Sequence, residues 1–479
     1  MGNVVHDSFR VMSPFNAYRE TEFMSDSLPA KPAENSVELT FLARKPSFLE
    51  CDDAAAFLHG MKFEANTEVL WFILKNSQGR YFCAEFVEPN ALKVDNDGDP
   101  ADDALFVSMC SRGRLCVPVG YTVAASFHLH PPADQGLQES SAEWSYRNRF
   151  FTCSDLWKVI NTRRFYSRCY LSTGKDGLIS YTSNASDFER ELSRHLAKKT
   201  DGSSRLFQSL YERGGIPASI WMLLAIGAGE LKMVVKGIVK DAMWSRRGAL
   251  KASWKWDIDP NQVKSSSVEL MPIFSPVFND IAGIASCLRI RRRDSFAEQS
   301  AGVILKHNFR DEFIATAAEP CDYVNFDLAV VFPKDQHGNV QLPEGFRVYG
   351  FYHSSKPSLP DLLPPSDAER FENFFSPVDM KVSFDRLVAA PQHHVLMLTP
   401  DNAVLSFSQP DIRVRSLIIE LTQDFQHKVI SGEITTQMFV DKVAAAGNLS
   451  VLLPSKTWPD VGRIRPSVEV AAVIAEPAE

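Results

Sequence analysis

The chain has 479 residues, of which 45% are hydrophobic and 23% charged, with a formal net charge of -8 and a pI near 5.8. That length allows two to four domains, and the composition is that of a soluble globular protein. The acidic balance excludes a general attraction to nucleic acid or anionic lipid. The short basic run Arg289, Arg291, Arg292 and Arg293 reads as a solvated helix end or linker. Eight cysteines are scattered without a CxxC pair, and Met1–Asp7 lacks the basic start and apolar core of a secretory signal. Both point to a reducing, cytoplasmic compartment.

In chain order, residues 1–42 are polar and irregular, with Pro14, Pro29 and Pro32, and read as a leader or arm. The run Asp52–Leu58 predicts a helix opened by acidic residues, which suit its positive end. Glu68–Lys75 and Arg80–Glu88 predict two strands joined by Asn76-Ser77-Gln78-Gly79. Gly120–Leu129 predicts a strand that places His128 and His130 on one face, with Pro131 ending it. A helix after Asp155, a hairpin over 166–182 and helices over 187–199 and 204–213 follow. Ile216–Gly229 is apolar but shorter than the ~20 residues that cross a bilayer, so it predicts a buried helix. A membrane-acting role for residues 216–240 stays open. Val234–Trp244 and Val277–Leu288 predict helices in a connector.

Much of this pattern recurs. Ser295–Ala301 echoes Ser47-Phe48 and the helix after it, and Asp327–Phe332 echoes Glu68–Ile73. Phe351-Tyr352-His353-Ser354-Ser355 echoes Ser126–His130, and Phe375-Ser376-Pro377-Val378-Asp379 echoes Phe151–Asp155. His394–Thr399 and Ala403–Phe407 repeat the hairpin at 166–182. Phe207 lies eight residues before Gly215, as Phe439 does before Gly447. The sequence therefore predicts two α/β (α+β) modules, each a mixed sheet flanked by helices, at 43–222 and 295–455. A helical connector (223–294) joins them, and a tail (456–479) follows.

Two histidines on a strand end plus a later carboxylate form a three-ligand set for a catalytic zinc, with one position left for water. The order acidic residue, His128-Leu129-His130-Pro131, then Thr152-Cys153-Ser154-Asp155 resembles the JAMM (MPN/JAB) metalloprotease signature. It is most similar to the JAMM-like module of bacterial Rhs-type and other polymorphic toxins. The resemblance covers most of 47–185 and, more faintly, 295–410. It implies that His128, His130 and Asp155 hold zinc, that Glu68 is the general base, and that Thr152 stands where the family's serine helps hold the oxyanion. Two departures stand out. The hydroxyl residue follows His130 at an unusually long interval, so Pro132–Phe150 reads as an inserted loop over the cleft, and threonine replaces serine.

In the second copy Ser355 replaces the second histidine and Asp327 the glutamate, while His353, Ser376 and Asp379 remain. That copy reads as degenerate, because a neutral serine is a poor zinc ligand. The resemblance implies a zinc hydrolase of peptide or isopeptide amides, acting on a protein or peptide in a bacterial toxin or effector setting, with delivery as an effector. The competing expectation is a non-catalytic binding or scaffold protein, with a partner protein in place of a substrate, built from two pseudo-JAMM modules.

Overall fold

A computed structural model describes residues 45–61, 69–87, 105–109, 115–130, 140–173, 177–196, 206–237, 247–250, 270–292, 299–354 and 365–467. Its class is mixed α/β, and the chain divides into two compact units, Met1–Ser266 and Ser267–Glu479. Glu68, Ser355, Cys110, the arm 1–42 and the end of the tail lie outside the described residues.

The first unit is built on strands β1 (Ser47–Phe48), β2 (Val69–Asn76), β3 (Tyr81–Val87), β4 (Phe106–Met109), β5 (Leu115–Cys116), β6 (Tyr121–Leu129), β7 (Arg168–Ser172), β8 (Leu178–Thr182), β9 (Glu230–Val235) and β10 (Gly248–Ala249). They form one mixed sheet in the order β10-β9-β8-β7-β6-β2-β3-β4-β5, with β1 on β3. The β2–β3 turn uses Gly79 at φ 80°, a left-handed conformation that glycine adopts without penalty. β6 runs parallel to β7, so the chain must cross between them, and the helix Cys153–Thr162 lies in that crossover.

Alternation along the strands gives the sheet two faces. Cys169, Leu171, Ile179, Tyr181, Leu231 and Met233 pack under the helices Cys153–Thr162, Asp187–Leu196 and Ala218–Ala228. The intervening residues meet the helix Cys51–His59: Asp52 accepts from Tyr170 Oη at 2.6 Å and pairs with Lys232 Nζ at 2.5 Å. The apolar run at 216–229 is thus a helix buried through Trp221, Met222 and Ala225, and no described helix is long and apolar enough to cross a membrane. Behind it, Glu189 is fully buried and accepts from Tyr181 Oη (2.6 Å), Ser183 Oγ (2.8 Å) and the Ala185 N–H (2.7 Å).

The second unit contains β11 (Ser300–His307), β12 (Phe313–Ala315), β13 (Glu319–Pro320), β14 (Phe346–Ser354), β15 (His394–Leu398), β16 (Val404–Ser408), β17 (Asn448–Leu453) and β18 (Gly462–Arg463). Their order is β12-β11-β14-β15-β16-β17-β18, with β13 on β11, and β14–β15 is parallel. The run β9-β8-β7-β6-β2-β3 in the first sheet therefore has its counterpart in β17-β16-β15-β14-β11-β12. A bulge interrupts β2–β6 after Ile73 and β11–β14 after Ile304, each at the fifth residue of its strand. A methyl on Gly229 would lie 2.5 Å from the Tyr181 ring and 2.7 Å from the Thr182 carbonyl. One on Gly447 would meet Phe407 at 2.5 Å and the Ser408 carbonyl at 3.0 Å.

These correspondences correct several sequence expectations. Asp327–Phe332 is not a strand: Asp327 is exposed and caps the short helix Leu328–Val331 through the Ala329 N–H. The counterpart of β2 is β11, so the residue before it, Gln299, matches Glu68. Ser300 and Ala301 lie in that strand rather than in a repeated helix, and the helix preceding it is Ile281–Arg292, which packs on β12 and β17. Residues 230–235 are strand β9, not the start of a helix over 234–244. Gly447 matches Gly229 rather than Gly215. Residues 456–467 are part of the second unit, with Trp458 buried and β18 paired to β17.

Burial lowers histidines in both units, His59 and His394 among them. It lowers His59, whose Nδ1 lies 2.9 Å from Ser172 Oγ, to about 4, and lowers His394 to about 4 with His393 adding to the effect. A histidine depressed in the fold keeps its full stability above the unfolded value near 6.5. Below that the unfolded chain binds the extra proton, so stability falls as pH drops from 6.5 towards 4. Urea midpoints at pH 7.5 and 5 are expected to fall in both units, with a shallower fall for the first unit in His59→Gln.

Candidate metal centre

His128 and His130 project from the carboxyl end of β6, the edge at which open α/β sheets place their ligands. Asp155 comes from the first turn of the crossover helix Cys153–Thr162. The parallel β6–β7 pairing brings the two together. His130 Nε2 lies 3.3 Å and His128 Nε2 3.7 Å from Asp155 Oδ2, and all three ligand atoms fall within 4.8 Å of one another. Two bonds of about 2.0–2.1 Å at a tetrahedral angle would set ligand atoms roughly 3.4 Å apart. The two histidine–carboxylate distances are close to that spacing, so the group could hold a metal ion. Among the described residues this is the one His/Cys/Asp/Glu group that could hold a metal.

The surroundings favour the ligand forms. Phe151 packs against the His128 ring, with centroids 5.9 Å apart, and His128 Nε2 is buried without a hydrogen-bond partner. A buried imidazole nitrogen left so is costly unless something else fills its lone pair. Burial, with repulsion from His128, lowers His130 to about 4, so it is neutral at physiological pH. Burial opposes ionisation of Asp155, but His128, His130 and the Thr152 hydroxyl outweigh it and hold the carboxyl well below the usual carboxylate range.

Thr152 is the N-cap of the crossover helix and is tied to Asp155 in a reciprocal capping box. Its N–H donates to Asp155 Oδ2 at 2.8 Å and its hydroxyl to the same oxygen at 2.6 Å, while the Asp155 N–H donates back at 3.2 Å. The hydroxyl is thus directed at the carboxylate rather than at open space. The described part of Pro132–Phe150 is not a loop: Ser141–Asn148 is a helix, and Glu143 accepts from the Ala218 N–H at 2.6 Å.

The second unit keeps the frame, and among its described residues no His/Cys/Asp/Glu group could hold a metal. Phe375 lies 5.6 Å from His353 at 54°, close to the 5.9 Å and 55° of Phe151 and His128. Ser376 caps the helix Pro377–Ala389 and donates to Asp379 Oδ2 at 2.8 Å. His353 carries the Tyr323 ring stacked on it at 4.0 Å and 15°, whereas the His130 ring lies 4.8 Å from His128 at 48°. Arg386 clasps the other side, 4.4 Å from the Tyr323 ring, and donates to the carbonyls of Tyr323 and Phe326. Asp327 is not brought to this place.

Comparison with protein-family models, with curated proteins and with solved structures finds no match to this chain. The residues that sequence reading missed, Gln299, Tyr323 and Arg386, carry no local motif. Only strand register and ring geometry single them out.

Proposed function

We propose that the first unit is a JAMM-like zinc hydrolase acting on peptide or isopeptide amides, and that the second is a pseudo-module with a binding or scaffolding role. The observation that supports the reading is the convergence of His128, His130 and Asp155 near zinc-ligand spacing, with His128 Nε2 buried and without a hydrogen bond. Bound zinc would supply a Lewis acid for the amide carbonyl and acidify a water. The chain's residues do the rest. His130, neutral above pH 4, keeps its lone pair available at physiological pH. Thr152 orients Asp155 as an outer partner, and would have to turn its hydroxyl away from Asp155 to reach an oxyanion. Glu68 is the residue that the resemblance makes the base. Gln299, at the matching place in the second unit, is an amide and cannot take a proton in that way. A bacterial toxin or effector setting, with a protein or peptide substrate, follows from the same resemblance.

Metal analysis tests the reading directly. The purified full chain is expected to carry about one zinc, lost in His128→Ala, and to cleave peptide amides only when loaded. A folded chain that takes up no zinc would overturn the hydrolase and favour the scaffold reading.

A further inference from the structure

The metal ligand Asp155 is held by a line of contacts that begins some sixty residues further along the chain. The helix Ala218–Ala228 has no side-chain cap of its own, because Pro217 occupies the cap position. Glu143 supplies one: its carboxylate accepts from the Ala218 N–H (2.6 Å), the Ser219 N–H (3.3 Å) and Ser219 Oγ (2.9 Å). A carboxylate there also complements the positive helix end. One turn on, Trp221 is fully buried between Phe207 and Tyr211, and its indole N–H donates to the Phe151 carbonyl at 2.7 Å. The peptide group from Phe151 to Thr152 is planar. A carbonyl fixed on one edge therefore fixes the Thr152 N–H on the other, and that N–H donates to Asp155 Oδ2. Accepting the indole bond also polarises the peptide and strengthens its N–H as a donor.

The second unit shows what remains without the indole. Its helix Thr436–Ala445 is clamped in the same way, with the Asp367 carboxylate accepting from the Thr436 N–H at 3.2 Å. Eight residues before Gly447, however, stands Phe439, whereas Trp221 stands eight before Gly229. Phe439 is equally buried but has no side-chain N–H to give, and packs edge-on against Phe374. Trp458 reaches the carbonyl of Asn373 instead, and Ser376 bonds Asp379 through its hydroxyl without the N–H bond that Thr152 makes. The clamp is common to both units, and an indole that donates to the carbonyl next to the cap residue is found in the first.

We propose that Trp221 is a positioning residue for the metal centre, acting through the Phe151–Thr152 peptide to hold Asp155 Oδ2 in place, an inference that rests on the zinc reading above. Trp221→Phe keeps most of the packing and deletes the N–H. In the full chain, zinc affinity measured by chelator competition is expected to fall about tenfold, as outer-partner losses do. The absorption spectrum of the cobalt-loaded chain should shift, and hydrogen exchange at the Thr152 amide should accelerate. Trp458→Phe serves as the control: it lowers the stability of the second unit and leaves zinc affinity and the cobalt spectrum unchanged. A folded Trp221→Phe variant with zinc affinity within twofold of wild type would overturn the proposal and leave the hydrolase reading standing. A wild-type chain that binds no zinc would sink that reading, and Thr152 amide exchange in Trp221→Phe would then decide the positioning role by itself.

Discussion

Asp155→Asn is expected to strip the first unit of zinc while leaving it folded. Asparagine has the same shape, and its amide oxygen can still accept from the Thr152 N–H and hydroxyl, which donate at 2.8 and 2.6 Å to the native carboxylate. What it lacks is the charge that makes a carboxylate a zinc ligand. Zinc content is therefore expected to drop from about one per chain to less than a tenth, with little change in the melting temperature of the metal-free protein. Asp155→Ala separates the two roles, since it also removes half of the capping box and should cost a further ~1 kcal/mol of stability. Full zinc occupancy in Asp155→Asn would remove Asp155 from the ligand set.

The largest loss of stability is expected from Glu189→Ala. This carboxylate is fully enclosed and serves three donors: the Tyr181 hydroxyl, the Ser183 hydroxyl and the Ala185 N–H. Truncation would leave the buried Tyr181 hydroxyl without its acceptor, at about 1–3 kcal/mol, and would release the half-buried Ser183 hydroxyl and the exposed Ala185 N–H to water. Ala185 also sits at φ 58°, a left-handed conformation that an alanine holds only when its surroundings impose it. With the loosened turn and the space left by the side chain, the loss is expected to be about 2–3 kcal/mol, a large part of what holds a typical domain together. Denaturant unfolding followed by tryptophan fluorescence should show the first-unit transition moving far to lower concentration. A loss below ~1 kcal/mol would mean that the turn is held by something else.

Local chemistry was legible in the sequence wherever it has a short period or a fixed offset. The strand that carries His128, the helix after Asp155 and the hairpin at 166–182 all rest on contacts between near neighbours, and the structure has them. What escaped depends on which distant strands pair. Asp327-Leu328-Ala329-Val330-Val331-Phe332 has the apolar, β-branched look of a strand, yet Asp327 turns it into a helix by capping the Ala329 N–H. The real partner of β14 begins at Ser300, and its opening residues Ser300-Ala301-Gly302 have little strand character of their own. Gly302 is small because the Tyr352 ring lies where a side chain would go, 2.4 Å from an added methyl. No local pattern announces such a reason. Trp221 and Glu143 act across still longer separations and were invisible for the same cause.

The parallel join of β6 to β7 also bears on the order of assembly. Strands β1 to β6 precede the crossover, and the two histidines are already in place when that block has formed. Asp155 arrives only when the crossover helix docks, a long-range closure that pays its loop entropy before any contact rewards it. An ion held by His128, His130 and Asp155 would therefore bridge the strand β6 and the crossover helix, binding the closed join and not the open one. By mass action it would hold the first unit shut at that seam. Depletion of zinc should then loosen β6 from the crossover before it disturbs the hairpin β2–β3.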